Sequence, residues 1–218
     1  MALSPDDRVR AGTMMDLAAI VAALARGFLA ADALRPVAMS HRGTRAYRPG
    51  IGPHPENDAV KLALASIIDQ AQLGPCGQFA AYPGLRRQTC DLWVGQPYEW
   101  VVEIKMARLR GDNGKPHDTA IKDILSPYES DRSALADCTK LANANFPCRK
   151  AIVIYGFDYP DRPLDPVIDT FELLAARRVR MGPREVTSFG PLVHPVHSAG
   201  RVFGWEVALL PNRVTLGE

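Results

Sequence analysis

Asp91, Glu103 and Lys105 are the residues of this 218-residue chain whose types and spacing can do chemistry. Asp91 interrupts the apolar run Cys90-Asp91-Leu92-Trp93-Val94, and the other two interrupt Trp100-Val101-Val102-Glu103-Ile104-Lys105. Charges inside such runs carry a desolvation cost unless something binds them. Two carboxylates that offer only oxygen ligands suit a hard, mostly hydrated cation such as Mg²⁺ or Mn²⁺. A lysine beside them can orient a nucleophilic water or stabilise charge building on a phosphate.

Strands must bring the three together. Both runs are rich in β-branched and aromatic residues, and Gly95-Gln96-Pro97-Tyr98 between them contains turn formers, so they read as the arms of a β-hairpin. Glu103 and Lys105 then share one face while Val102, Ile104 and Met106 take the other. Register decides where Asp91 goes. A three-residue loop of Gln96, Pro97 and Tyr98 sets Asp91 directly opposite Glu103 on the same face, with Cβ atoms roughly 5 Å apart. An even-length loop sends it to the other face, unless a bulge restores the parity. Like charges that close call for a compensating cation.

An acid on one strand followed by Glu-x-Lys on the next resembles the PD-(D/E)xK nuclease superfamily, the restriction-endonuclease-like fold. Asp91, Glu103 and Lys105 are the matching residues, and Cys90 stands where the family frequently has proline. The resemblance covers roughly residues 54 to 157. It implies Mg²⁺- or Mn²⁺-dependent cleavage of phosphodiester bonds, with DNA as the expected partner. Asp91, Glu103 and the backbone carbonyl of Ile104 become the metal ligands by the same resemblance, and Lys105 the catalytic lysine.

The order of the surrounding elements fits that fold. Pro55 to Asp69 has apolar residues at helical spacing (Val60, Ala63, Leu64, Ile67), and Glu56 falls on the same stripe. Glu56 is either a third acid of the site, as the resemblance allows, or a carboxylate favoured by the helix dipole. Gln78 to Leu85 is the expected first strand. Ser126-Pro127-Tyr128-Glu129 reads as a capping box opening a helix to about Ala144, and Ala151 to Tyr155 as a buried strand. Strand, crossover helix and strand imply a parallel connection.

The expectation is therefore an α/β protein with a mixed central sheet flanked by helices, one domain over 1–218, and a core at about 54–157. An N-terminal amphipathic helix within Thr13 to Leu34 and a basic loop precede the core. A helix at Leu164 to Arg178 and a β-hairpin of Glu185 to Val193 and Arg201 to Leu210 follow it as periphery. In the basic loop Arg42, Arg45 and Arg48 are candidates for phosphate contact, against a reading as solvated linker. Arg108 and Arg110 are candidates beside the acids.

Composition sets outer bounds. A net charge of +2 does not by itself argue for nucleic acid, so any electropositive surface must come from clustering. Cys76, Cys90, Cys138 and Cys148 lack zinc-type spacing and read as buried thiols of a cytoplasmic protein. Asp6, Asp7, Asp16 and Arg26 around the apolar stretch Leu17 to Ala25 argue against an export signal or a membrane span. His194-Pro195-Val196-His197 reads as loop and not as a metal site, because proline breaks the helix that would present the pair. Three function classes follow: a nuclease, such as a restriction or repair enzyme or an antiphage effector held by a regulatory protein partner; an inactive nuclease-fold binding or assembly subunit; and a hydrolase of another phosphate substrate. A homodimer or larger oligomer is compatible with each.

Overall fold

A computed structural model describes residues 15–40, 43–69, 72–117 and 119–210; Arg42, Asp6, Asp7 and Thr13 lie outside the described residues. Among the described residues seven strands form one mixed sheet: β1 (Cys76–Ala81), β2 (Thr89–Val94), β3 (Trp100–Ala107), β4 (Arg149–Phe157), β5 (Arg180–Met181), β6 (Glu185–Phe189) and β7 (Gly200–Ala208). The order is β1-β2-β3-β4-β7, with β6 and β5 pairing in turn along the outer edge of β7. β3 and β4 are parallel, and the other pairs are antiparallel.

Helices cover both faces. α1 (Leu17–Ala33) starts at Asp16, whose side chain accepts from the Ala19 N–H at 2.7 Å. It buries Ile20, Val21, Leu24 and Phe28, and the Phe28 ring stacks on Tyr155 with centroids 4.3 Å apart. Close approach at this contact needs glycine in β7, since a Cβ on Gly204 would come within 2.6 Å of Val21 Cγ2. α2 (Glu56–Asp69) packs on α1. On the opposite face lie α3 (Thr119–Leu125), α4 (Ala134–Asn143) and α5 (Asp165–Ala175), with Phe171 of α5 against Trp205 at 5.2 Å.

Several expectations are corrected. The helix expected from Ser126 to Ala144 is split: a short 3-10 turn occupies Glu129–Asp131, and α4 begins only at Ala134. Arg132, at φ 50°, sits in the left-handed region and interrupts any continuous helix. Ser133 is the true cap, accepting from the Ala136 N–H at 3.1 Å, while the Ser126 hydroxyl donates to Asp131 at 2.5 Å. α3 was not foreseen. The first strand ends at Ala81, four residues short of Leu85, because Tyr82 to Gln88 turn back to start β2.

The presumed periphery is also part of the core. β7 lies beside β4 with Val202, Phe203, Trp205 and Val207 buried, and α1 contributes to the same apolar cluster. Of the cysteines, Cys90 and Cys138 are buried, whereas Cys76 and Cys148 are partly exposed; all four are free thiols. Among the described residues no helix is long and apolar enough to cross a membrane.

Candidate active site

The hairpin register has the expected odd parity, but through a five-residue connection (95–99) where three residues were expected. β2 and β3 pair at Leu92↔Val102, Trp93↔Val101 and Val94↔Trp100, so continuing the register sets Asp91 against Glu103. The pairing stops one residue short of them. Asp91 falls at a gap in the β1–β2 ladder too, opposite Phe79, whose φ of 69° turns the backbone out of the extended region. The strands therefore part at Asp91.

That parting leaves an open edge on β3. Ile104 and Met106, two residues apart, direct their N–H groups to the same edge, where β2 no longer supplies acceptors. Carboxylates take the place of the missing strand. Asp91 Oδ2 accepts from the Ile104 N–H at 2.7 Å, and Glu56 Oε2 accepts from the Met106 N–H at 2.6 Å. Glu56 is thus more than a dipole carboxylate: the first turn of α2 ties it to β3. The Ile104 side chain lies in the core.

α4 closes the site from above with residues that the motif does not include. Lys105 Nζ lies 3.0 Å from Asp137 and 3.6 Å from Glu56. Lys140 Nζ lies 2.9 Å from Glu103 and 2.7 Å from Asp137. Tyr82, at the end of β1, donates its hydroxyl to Glu103 at 2.5 Å. Asp137 had one sequence signal, a carboxylate flanking the apolar stripe of a crossover helix that must pack on the sheet. Tyr82 had none, because its approach depends on the β1–β2 turn.

Electrostatics follow from burial. Glu103 is held above the ordinary carboxylate range by burial first and then by Asp137 and Asp91. Burial likewise raises Asp91 and Glu56, the latter against the opposing pull of Lys105. Desolvation would lower Lys105, yet Glu56, Asp137 and Asp91 together hold it above its usual value, so it stays an ammonium. Burial also pushes the neighbouring Cys90 thiol up to about 12, which keeps it unreactive.

Glu56, Asp91, Glu103, Lys105, Asp137 and Lys140 line a cavity of about 1070 Å³. At its base four carboxylates face two ammonium groups, a formal excess of two negative charges that one divalent cation would match. The donor set is all oxygen, which fits Mg²⁺ or Mn²⁺. Among the described residues no three acidic, histidine or cysteine side chains are grouped as a ready-made cage. An ion held by two carboxylates would keep much of its water, as Mg²⁺ usually does.

The remaining candidates lie elsewhere. Arg108 donates to the Gly52 carbonyl at 2.8 Å, and Arg110 bonds the Gly114 carbonyl and Asp161; neither lines the cavity. Arg45 and Arg48 are exposed on a loop closed by a Met39–Ala46 bridge, also outside the cavity. Arg42 lies outside the described residues. No protein-family model, curated protein or solved structure matches this chain.

Proposed function

We propose that this protein is a divalent-metal-dependent nuclease of the restriction-endonuclease-like kind, cleaving phosphodiester bonds, most naturally in DNA. One observation carries the reading: Asp91 and Glu103 meet where two strands part, beside Lys105, at the base of a cavity where four carboxylates face two lysines. Asp91, Glu103 and the Ile104 carbonyl would hold Mg²⁺ or Mn²⁺, which when bound polarises the phosphate and makes a water more acidic. Lys105 presents a permanent ammonium to the phosphate. Asp137 and Glu56 are positioning residues that fix its Nζ. A role in restriction or antiphage defence, cytoplasmic location and control by a partner protein belong to the same proposal.

A second reading draws on the ion pairs themselves. Lys140 already neutralises Glu103, and Lys105 already engages Asp137 and Glu56, as in a nuclease-fold protein that serves only to bind nucleic acid or assemble with a partner. Digestion of supercoiled plasmid, linear single-stranded DNA and RNA with Mg²⁺ or Mn²⁺ separates the two. The nuclease reading expects cleavage of at least one substrate, and binding without cleavage in Ca²⁺. Intact substrates in every metal would leave the binding subunit.

A further inference from the structure

The cavity that holds the acids carries a second set of charges at its mouth. Arg87, Arg132 and Arg178 line it and are exposed, whereas Glu103 and Asp137 at its base are 2 % and 6 % exposed. The three arginines come from separate segments: the β1–β2 turn, the residue before the α4 cap, and the chain leaving α5. None has an ion pair among the described residues, unlike Arg108 and Arg110. Arg87 and Arg132 both hold left-handed backbones, with φ of 62° and 50°, so their directions are set by turns and not by helix or strand periodicity.

We infer that Arg87, Arg132 and Arg178 grip phosphates on either side of the one held at the acids, which makes the ligand a polynucleotide strand and not a phosphomonoester. Counted together, the lining side chains comprise four carboxylates and five cations, so the cavity changes from acidic at the base to basic at the mouth. A single phosphate group would meet the base alone. A chain of phosphodiesters meets both zones, with the arginine forks supplying bidentate contacts that a lysine cannot. Gln88 and Asn143 in the same lining add amides able to bond bases or sugars.

This inference rests on the nuclease reading, and its test separates the two. Fluorescence anisotropy in Ca²⁺, over a range of salt, would follow labelled single-stranded and duplex oligonucleotides of increasing length. Arg87→Ala, Arg132→Ala and Arg178→Ala should each weaken binding severalfold and lower the salt slope by about one unit, while Arg26→Ala, on the opposite layer, should leave both unchanged. Affinity should rise with oligonucleotide length, and inorganic phosphate should compete poorly. Circular dichroism melts confirm that these exposed substitutions fold. Parent-like slopes in all three variants, or phosphate competing as well as an oligonucleotide, overturn the inference even if the parent cuts DNA. Arginine-dependent binding by a protein that cuts nothing in Mg²⁺ or Mn²⁺ upholds the rim and removes the nuclease. The single-strand and duplex arms show which form supplies the phosphates.

Discussion

Two clusters in this protein bury titratable groups, and they do it in opposite ways. Beside α4, four carboxylates and two lysines share the base of an accessible cavity, where negative charge is in formal excess. In the 190–199 loop, His194 and His197 stack at 4.7 Å and are almost wholly buried, and there Nδ1 of His194 and both ring nitrogens of His197 have matching partners. Asp112, an ionised acceptor, lies 3.0 Å from His197 Nε2, so that nitrogen carries the proton; Nδ1 then accepts from the Tyr159 hydroxyl at 2.7 Å. His194 Nδ1 takes backbone N–H groups from Val196 and His197. His197 packs so tightly on Gly52 that a Cβ there would meet its ring carbons Cγ and Cδ2 at 2.6 Å. Burial alone therefore does not mark a candidate site; carboxylates in formal excess at the base of an open cavity are the added sign.

The largest effect expected of that difference is chemical. Lys105→Ala should reduce metal-dependent cleavage by about 10²-fold or more while the fold survives, as loss of one preorganised stabilising charge does elsewhere. Single-turnover cleavage beside a thermal melt measures both, and parent-like rates would place Lys105 outside the chemistry.

His197→Ala should do the reverse. It empties a packed position and strands Asp112 and Tyr159, so urea unfolding should show a loss of about 2–4 kcal/mol, with cleavage per folded molecule unchanged. A neutral effect on stability would mean that the histidine cluster is not structural.

Asp91→Asn sharpens the charge argument. Removing one of the negative charges at the base should leave stability unchanged or raise it by up to about 1 kcal/mol, while the rise in melting temperature expected of the parent in Mn²⁺ should be lost. Isothermal titration with Mn²⁺ is the direct readout, and parent-like affinity would exclude Asp91 as a ligand.

The pH dependence of stability separates the clusters further. Burial first, then His197, lowers His194 to about 4, with Asp112 and Asp32 pulling upward and Arg48 downward. His197 is lowered by burial against the pull of Asp112, with Arg108 adding to the lowering. The unfolded chain therefore binds protons that the folded chain refuses, and this part of the stability falls as pH drops from about 6.5 toward about 4. Urea titrations across that window should show the decline, with a shallower slope in His194→Gln. The smallest effect concerns Arg45→Ala and Arg48→Ala, for which stability should stay within about 0.5 kcal/mol and binding should match the parent.

By itself the sequence determined the local pieces: the two charged strands, the shared face of Glu103 and Lys105, and the parallel crossover to β4, while it left the side of Asp91 to the register of the hairpin. These depend on period-two alternation and loop length, which neighbouring residues set. Tertiary structure decided the rest. Glu56 serves β3 only because β2 leaves that edge unpaired; Asp137, Lys140 and Tyr82 enter only when α4 and the β1–β2 turn are laid over the sheet. The same packing drew Arg108 and Arg110 onto Gly52, Gly114 and Asp161 and away from the acids. It also brought Arg87, Arg132 and Arg178 to the cavity mouth. Contacts such as Glu56 to Met106 and Arg108 to Gly52, 50 and 56 positions apart, follow no local period, and left-handed residues such as Phe79 and Arg132 turn the chain where propensity predicts it to continue.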